Sequence, residues 1–195
     1  MSALNIQCLQ WMAAGDEPAA WPLFIAWLSA LWGAWACAAA LAWVAWKRRP
    51  ERGYLATVVA GAILASLLSH AIAAHFDVPR PFVAGWVPAY ISHRASAATP
   101  STHATVMFFI AFALLFREGL RRLGGAMLAL ACIVGWARIY VGVHFPLDIL
   151  AGITLAAAQA GLLSLAWKQF LPASEAVESQ PGQRRHIAST FAALP

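Results

Sequence analysis

The chain has 195 residues, 62% of them hydrophobic and 11% charged, with a formal net charge of +5. A soluble domain carries about 45–50% apolar and about 25% charged residues, so a soluble globule, a disordered chain and a nucleic-acid-binding arm all fit badly. The length suits one domain, and the composition suits the interior of a bilayer.

From the N-terminus, residues 1–18 lack the basic stretch of a cleavable signal peptide. Ile6, Leu9, Gln10 and Met12 to Ala14 suit a short interfacial or re-entrant helix, ended by Gly15-Asp16-Glu17-Pro18. Ala19 to Trp46 carries no charge; at about 1.5 Å per residue it is about 42 Å of helix, a full span with room for tilt. Its Trp27, Trp32, Trp35 and Trp43 are expected to face lipid or pack. A second span runs from Tyr54 to Phe76, stopped by Asp77 and the Pro79/Pro81 pair. A third, Thr102 to Phe116, is short unless it continues through Arg117 and Glu118. A fourth covers Leu123 to Val141 with Arg138 inside it, and a fifth Pro146 to Trp167 with Asp148 near its start.

The expected fold is thus an all-α integral membrane bundle of about five transmembrane helices plus a short N-terminal helix. Residues 1–171 form the membrane domain and 172–195, rich in Ser, Gln, Glu, Pro and Arg, a flexible cytoplasmic tail. Cys8, Cys37 and Cys132 form no CxxC pair and read as buried free thiols, and His70 as a satisfied polar group inside the bundle.

Charge sets the orientation. Lys47, Arg48, Arg49 and Arg52 follow span one; Arg117, Arg121 and Arg122 follow span three; Lys168, Arg184 and Arg185 follow span five. These are ten of the thirteen basic residues, and alternation of the spans puts all ten on one side, the cytoplasmic one by the positive-inside rule. Arg80, Arg94 and Arg138 lie at or near the other face and need a different explanation.

Ionisable groups at membrane depth are costly, about 2.5–3.5 kcal/mol each on insertion scales, and so are candidates for function. On the outer face stand Arg80-Pro81, Pro100-Ser101-Thr102-His103, and Arg138 with His144 and Asp148. Ser101 can cap the helix that it opens, and the first-turn N–H groups there suit an anion. Arg80 and Arg138 can each clamp two phosphate oxygens. His144 and Asp148, four apart, share a helix face, and a carboxylate on one ring nitrogen leaves the other a better nucleophile. His103 is suited to protonate a leaving oxygen. The same groups admit blander roles: a helix-end pair for His144 and Asp148, an N-cap for Ser101, or a metal site, which two arginines at one place disfavour. Taken together they describe metal-free phosphoryl transfer through a phosphohistidine, with no cofactor.

The arrangement Arg80-Pro81, Pro100-Ser101-x-His103 and Arg138-x5-His144-x3-Asp148 resembles the type 2 phosphatidic acid phosphatase superfamily of membrane lipid phosphatases, over roughly residues 54 to 167. The resemblance implies His144 as nucleophile, Asp148 as its orienter and His103 as general acid. It implies that Arg80, Ser101, Arg138 and the N–H groups of Thr102 and His103 hold the phosphate. Two positions depart from the family pattern. Ala73 stands where a lysine is usual, seven residues before Arg80, and Ala137 where serine is frequent. His75, His93 and Arg94 are candidates for the missing contact.

Within the superfamily, Arg80-Pro81-Phe82-Val83 and the run Tyr140 to Asp148 are most similar to the short bacterial undecaprenyl pyrophosphate phosphatases. That similarity implies hydrolysis of the isoprenoid lipid diphosphate to the monophosphate at the outer side of the bacterial inner membrane, recycling the carrier lipid of cell-wall synthesis. The alternatives are a phosphatidylglycerophosphate or phosphatidic acid phosphatase, and an inactive membrane protein that only binds lipid phosphate. A transporter would need polar residues along a path across the bilayer, whereas here they gather at one face.

Overall fold

The computed structural model describes residues 2–178. Six α-helices follow one another: α1 (Ala3–Met12), α2 (Ala20–Lys47), α3 (Arg52–Phe76), α4 (Thr102–Phe116), α5 (Arg121–Tyr140) and α6 (Pro146–Glu178). There is no strand among the described residues. The fold is that of an all-α integral membrane protein. The chain from Ala20 to Lys47, from Arg49 to Phe76, from Glu118 to Tyr140 and from Pro146 to Gln169 is long and apolar enough to cross a membrane. Large apolar side chains such as Trp32, Trp35, Ile63 and Leu67 are exposed on α2 and α3, which a hydrocarbon solvent tolerates and water does not.

The bundle is built around α4, which packs against α3, α5 and α6. Nine of its fifteen residues are buried, among them Phe108, Phe109, Ile110 and Leu114. At about 1.5 Å per residue, α4 is only about 22 Å long, short of the roughly 30 Å hydrocarbon core. It does not continue through Arg117 and Glu118: Arg117 is extended, and a 3-10 turn at Glu118–Leu120 leads into α5. At the end away from the site, Glu51 pairs with Arg117 at 3.0 Å and the Tyr54 hydroxyl donates to the Ala113 carbonyl at 2.6 Å.

Gly152 permits the tight α4–α6 seam. A Cβ there would lie 3.0 Å from both Ala104 Cβ and the Ser101 carbonyl oxygen.

Several features differ from the sequence expectation. The short N-terminal helix, expected as interfacial or re-entrant, is present and adds a docking contact that the sequence did not place: Leu9 is wholly buried and Asn5 nearly so, against the site end of α5 and α6. Of the cysteines only Cys37 is buried; Cys8 is half-buried and Cys132 exposed, because Cys132 lies on the outward face of α5. His70 is exposed on the outside of α3, with Nδ1 bonded to the Ser66 carbonyl at 2.8 Å. It is satisfied by its own helix and not by the bundle. The last helix continues to Glu178, past the span end expected at Trp167, and residues 179–195 of the expected tail lie outside the described residues.

Candidate active site

The segments between α3 and α4 and between α5 and α6 meet at one end of the bundle. The turn before α6 begins at Gly142, whose φ of +80° favours glycine. Val143 N–H and His144 N–H return to the Arg138 carbonyl at 3.1 and 3.3 Å. Those bonds turn the chain back on α5 and leave His144 only 2% exposed. The next residues start α6 and bring Asp148 under the ring, with His144 Nδ1 3.3 Å from Asp148 Oδ2.

Asp148 gathers further donors. Phe145 N–H donates to Oδ2 at 2.7 Å and the Thr99 hydroxyl to Oδ1. This is the acceptor pattern of a carboxylate. On the opposite side of the ring, Arg80 Nη1 lies 3.0 Å from His144 Nε2 and also donates to the Val143 carbonyl at 2.9 Å. Arg80 Nη2 reaches Ser96 Oγ at 3.3 Å and the Ala97 carbonyl at 3.1 Å. Guanidinium can only donate, so Nε2 carries the lone pair and Nδ1 the proton that faces Asp148. Burial, with Arg138 and Arg80 adding to it, holds the His144 imidazole well below its ordinary pKa and hence neutral.

Three buried residues around this histidine keep polar atoms with no partner: Arg138 at Nε and Nη2, Arg80 at Nε, and Ser101 at Oγ. Arg138 is 2% exposed and anchored only by a 3.5 Å contact from Nη1 to the Ala30 carbonyl. Uncompensated buried donors are rare and call for an explanation. Ser101 stands at the N-cap position of α4 but makes no side-chain cap bond. Its N–H instead donates to the Asp148 carbonyl at 3.0 Å, tying the start of α4 to α6. The first-turn N–H groups of α4 therefore lack the usual side-chain acceptor. The Thr102 hydroxyl is engaged by Ser69 Oγ at 3.0 Å, so its backbone N–H is the group left for an anion. His103, half-buried on the first turn, lies within the electrostatic reach of Arg138, His144, His93 and Arg80.

Of the three candidates for the lysine missing at Ala73, the structure brings one to the site. The His93 ring lies 6.4 Å from that of His144, edge to face, with its Nδ1 3.0 Å from the Arg94 carbonyl. Burial lowers its pKa. Arg94 is exposed and contributes that carbonyl. His75 is exposed near the end of α3 against Phe76. The sequence reading missed Thr99 and Ser96. A threonine before Pro100 and a serine in an Ala-rich loop carry no signal of their own; only the folded loop shows what they hold.

Three polar elements thus converge: a buried oriented imidazole, two arginines with free donors, and an uncapped helix N-terminus. Phosphate is the anion this geometry suits. Residues 53–171 match the PAP2 superfamily model, and the chain belongs to that superfamily. It is 37% identical over 100 residues to undecaprenyl-diphosphatase BcrC of Bacillus subtilis, covering 51% of this chain and 49% of that one. It is 38% identical over 107 residues to lipid A 1-phosphatase of Rhizobium johnstonii, covering 52% and 41%. The chain matches about half or less of the length of these curated relatives. The crystal structure of Aquifex aeolicus LpxE superposes with a TM-score of 0.65 at 21% identity, over 85% of this chain and 96% of that one.

Proposed function

We propose that the protein is a metal-independent membrane phosphatase that hydrolyses an isoprenoid lipid diphosphate, undecaprenyl diphosphate in a bacterium, to the lipid monophosphate and phosphate. The observation that carries this reading is the buried His144, with Nδ1 on Asp148 and Nε2 facing Arg80. In the first step the Nε2 lone pair attacks the terminal phosphorus. The bond to the bridging oxygen breaks, and His103 gives that oxygen a proton. Arg80, Arg138, Ser101 Oγ and the N–H groups of Thr102 and His103 take the charge on the equatorial oxygens. In the second step His103 removes a proton from water, water attacks phosphorus, the P–N bond breaks, and phosphate leaves. His93, its ring 6.4 Å from that of His144, is the candidate for the phosphate contact that the family lysine makes. The chemistry calls on no metal and no cofactor.

A lipid substrate is supported by a groove of about 600 Å³ between α2, α3 and α4. Small residues on α2 (Ala34, Ala38, Ala42, Ala45) face Ala56, Ala62 and Ser66 on α3 over a floor of Val106, Met107 and Ile110. It begins one turn along α2 from Ala30, whose carbonyl meets Arg138, and continues away from the site. A headgroup at His144 can therefore leave its chain in the groove. The positive-inside distribution of ten of the thirteen basic residues supports a site at the outer face of the inner membrane and a cytoplasmic C-terminus.

A second reading, a phosphatase for lipid A or a glycerolipid phosphate, is favoured by the similarity to a lipid A 1-phosphatase. Phosphate release in detergent with EDTA distinguishes them, offering farnesyl or undecaprenyl diphosphate beside phosphatidic acid, phosphatidylglycerophosphate and lipid A. Preference for the isoprenoid diphosphate, undiminished by EDTA, is expected. Preference for a monophosphate lipid would keep the chemistry and discard carrier recycling. Loss in EDTA restored by a divalent cation would discard the metal-free mechanism.

A further inference from the structure

The N-terminal helix lies outside the stretch that matches the family model, yet it touches the turn that carries His144. Asn5 is 7% exposed, a polar residue in the docked face of α1 one helical turn before the wholly buried Leu9. Its Oδ1 accepts from Leu147 N–H at 3.2 Å. A backbone N–H only donates, so the amide oxygen must be the atom that faces it. Leu147 follows Pro146, which has no N–H, at the start of α6. Its N–H is one of the first-turn donors for which a helix has no partner of its own. The neighbouring donors are provided for locally: Phe145 N–H by Asp148 Oδ2 and Asp148 N–H by the Phe145 carbonyl. Leu147 alone is served from α1, 142 residues away in sequence.

Two more contacts fix the same segment around the same turn. Ala14 N–H donates to the carbonyl of Tyr140, the last residue of α5, at 3.0 Å. The Tyr90 hydroxyl donates to the Gly15 carbonyl at 2.6 Å, and Tyr90 N–H to the Val141 carbonyl at 3.0 Å. Residues 2–16 thus grip the end of α5, the loop beside it and the start of α6, the three pieces of backbone that hold His144 against Asp148.

We propose that Asn5 is a positioning residue for the reaction. By capping α6 from a separate helix it fixes the first turn of α6, and with it the Asp148 carboxylate under the His144 ring. The segment 2–16 is then a brace supplied from outside the family domain. This rests on the reading of His144 as nucleophile.

The test uses the full-length protein with Asn5→Leu, which keeps the branch at Cγ without an acceptor, and Asn5→Asp, which keeps the oxygen where a helix N-terminus favours negative charge. The reference is His144→Ala. Turnover of farnesyl diphosphate and thermal unfolding are measured for each. A misplacement of about 1 Å can cost up to about 100-fold in rate. Asn5→Leu is accordingly expected to lose roughly tenfold in kcat with KM nearly unchanged, and Asn5→Asp to recover most of it. If Asn5 only supports the fold, Asn5→Leu will melt earlier but keep wild-type kcat per folded molecule, which overturns the proposal, as does an Asn5→Asp variant no better than Asn5→Leu. Should Asn5→Leu not fold, Asn5→Gln is read instead: its displaced acceptor should lower kcat, and an unchanged kcat overturns the proposal. Turnover by His144→Ala would overturn the site reading itself. An inactive His144→Ala beside a fully active Asn5→Leu would remove the brace alone.

Discussion

His144 shows how one side chain acquires a role from its neighbours. Arg80 can only donate, so its 3.0 Å contact leaves the lone pair on Nε2. Asp148 takes the proton-bearing Nδ1. Burial and two guanidinium groups keep the ring neutral, the state that a nucleophile needs. The sign of the pH effect follows. Protonation of His144 removes the nucleophile, and its depressed pKa delays that loss as pH falls. The acid limb of kcat/KM, which reports the free enzyme, should therefore lie below the ordinary imidazole value of about 6.5. A limb at or above that value would contradict a buried, arginine-flanked nucleophile. The residues proposed to react stood out in the sequence because arginine, histidine and aspartate at span ends are costly and rare. Their supports were not. Thr99 and Ser96 became visible only when the loop between α3 and α4 brought them to Asp148 and Arg80.

At the level of elements, the five apolar runs were readable because charge is nearly excluded from them, and the observed ends lie close to the expected ones except at the last helix, which runs on to Glu178. The N-terminal helix was not placed by sequence. Ten residues with few polar positions fit an interface or a groove equally well, and Asn5 finds its partner 142 residues away. The turn between α5 and α6 is the element on which the site depends most. Gly142 has φ +80°, and a Cβ there would lie 2.1 Å from the Pro88 carbonyl oxygen. Gly142→Ala is expected to cost at least about 1–3 kcal/mol through backbone strain and to displace His144. Thermal unfolding and turnover measured together test this. A variant with unchanged melting and unchanged kcat would show that the turn tolerates the shift.

Across the whole molecule, the two ends of the bundle differ in kind. One end concentrates buried arginine, histidine and aspartate around a helix N-terminus. The other carries arginines and lysines that meet backbone carbonyls, Glu51 and tryptophan faces, as with Arg48 on Gly119, Arg117 on Glu51 and Lys47 over Trp43. A groove between α2 and α3 extends from Ala34 and Ser66 toward Arg52, at the end away from the site. Basic asymmetry was legible from sequence because it needs only span order. The groove was not, since it arises where small residues of two helices face each other without closing the gap. The proposed activity calls for such an arrangement, with the headgroup at the site and its chain left in the membrane.

The most direct measurement is a search for the covalent intermediate. Terminal-phosphate-labelled farnesyl diphosphate is mixed with the full-length protein in detergent with EDTA and quenched within milliseconds in base, where a phosphohistidine survives and from which acid releases it. Wild type should carry the acid-labile label on His144, and His144→Ala should carry none and turn over no substrate. Label on another residue, or turnover by His144→Ala, would contradict the assignment of His144 as the nucleophile.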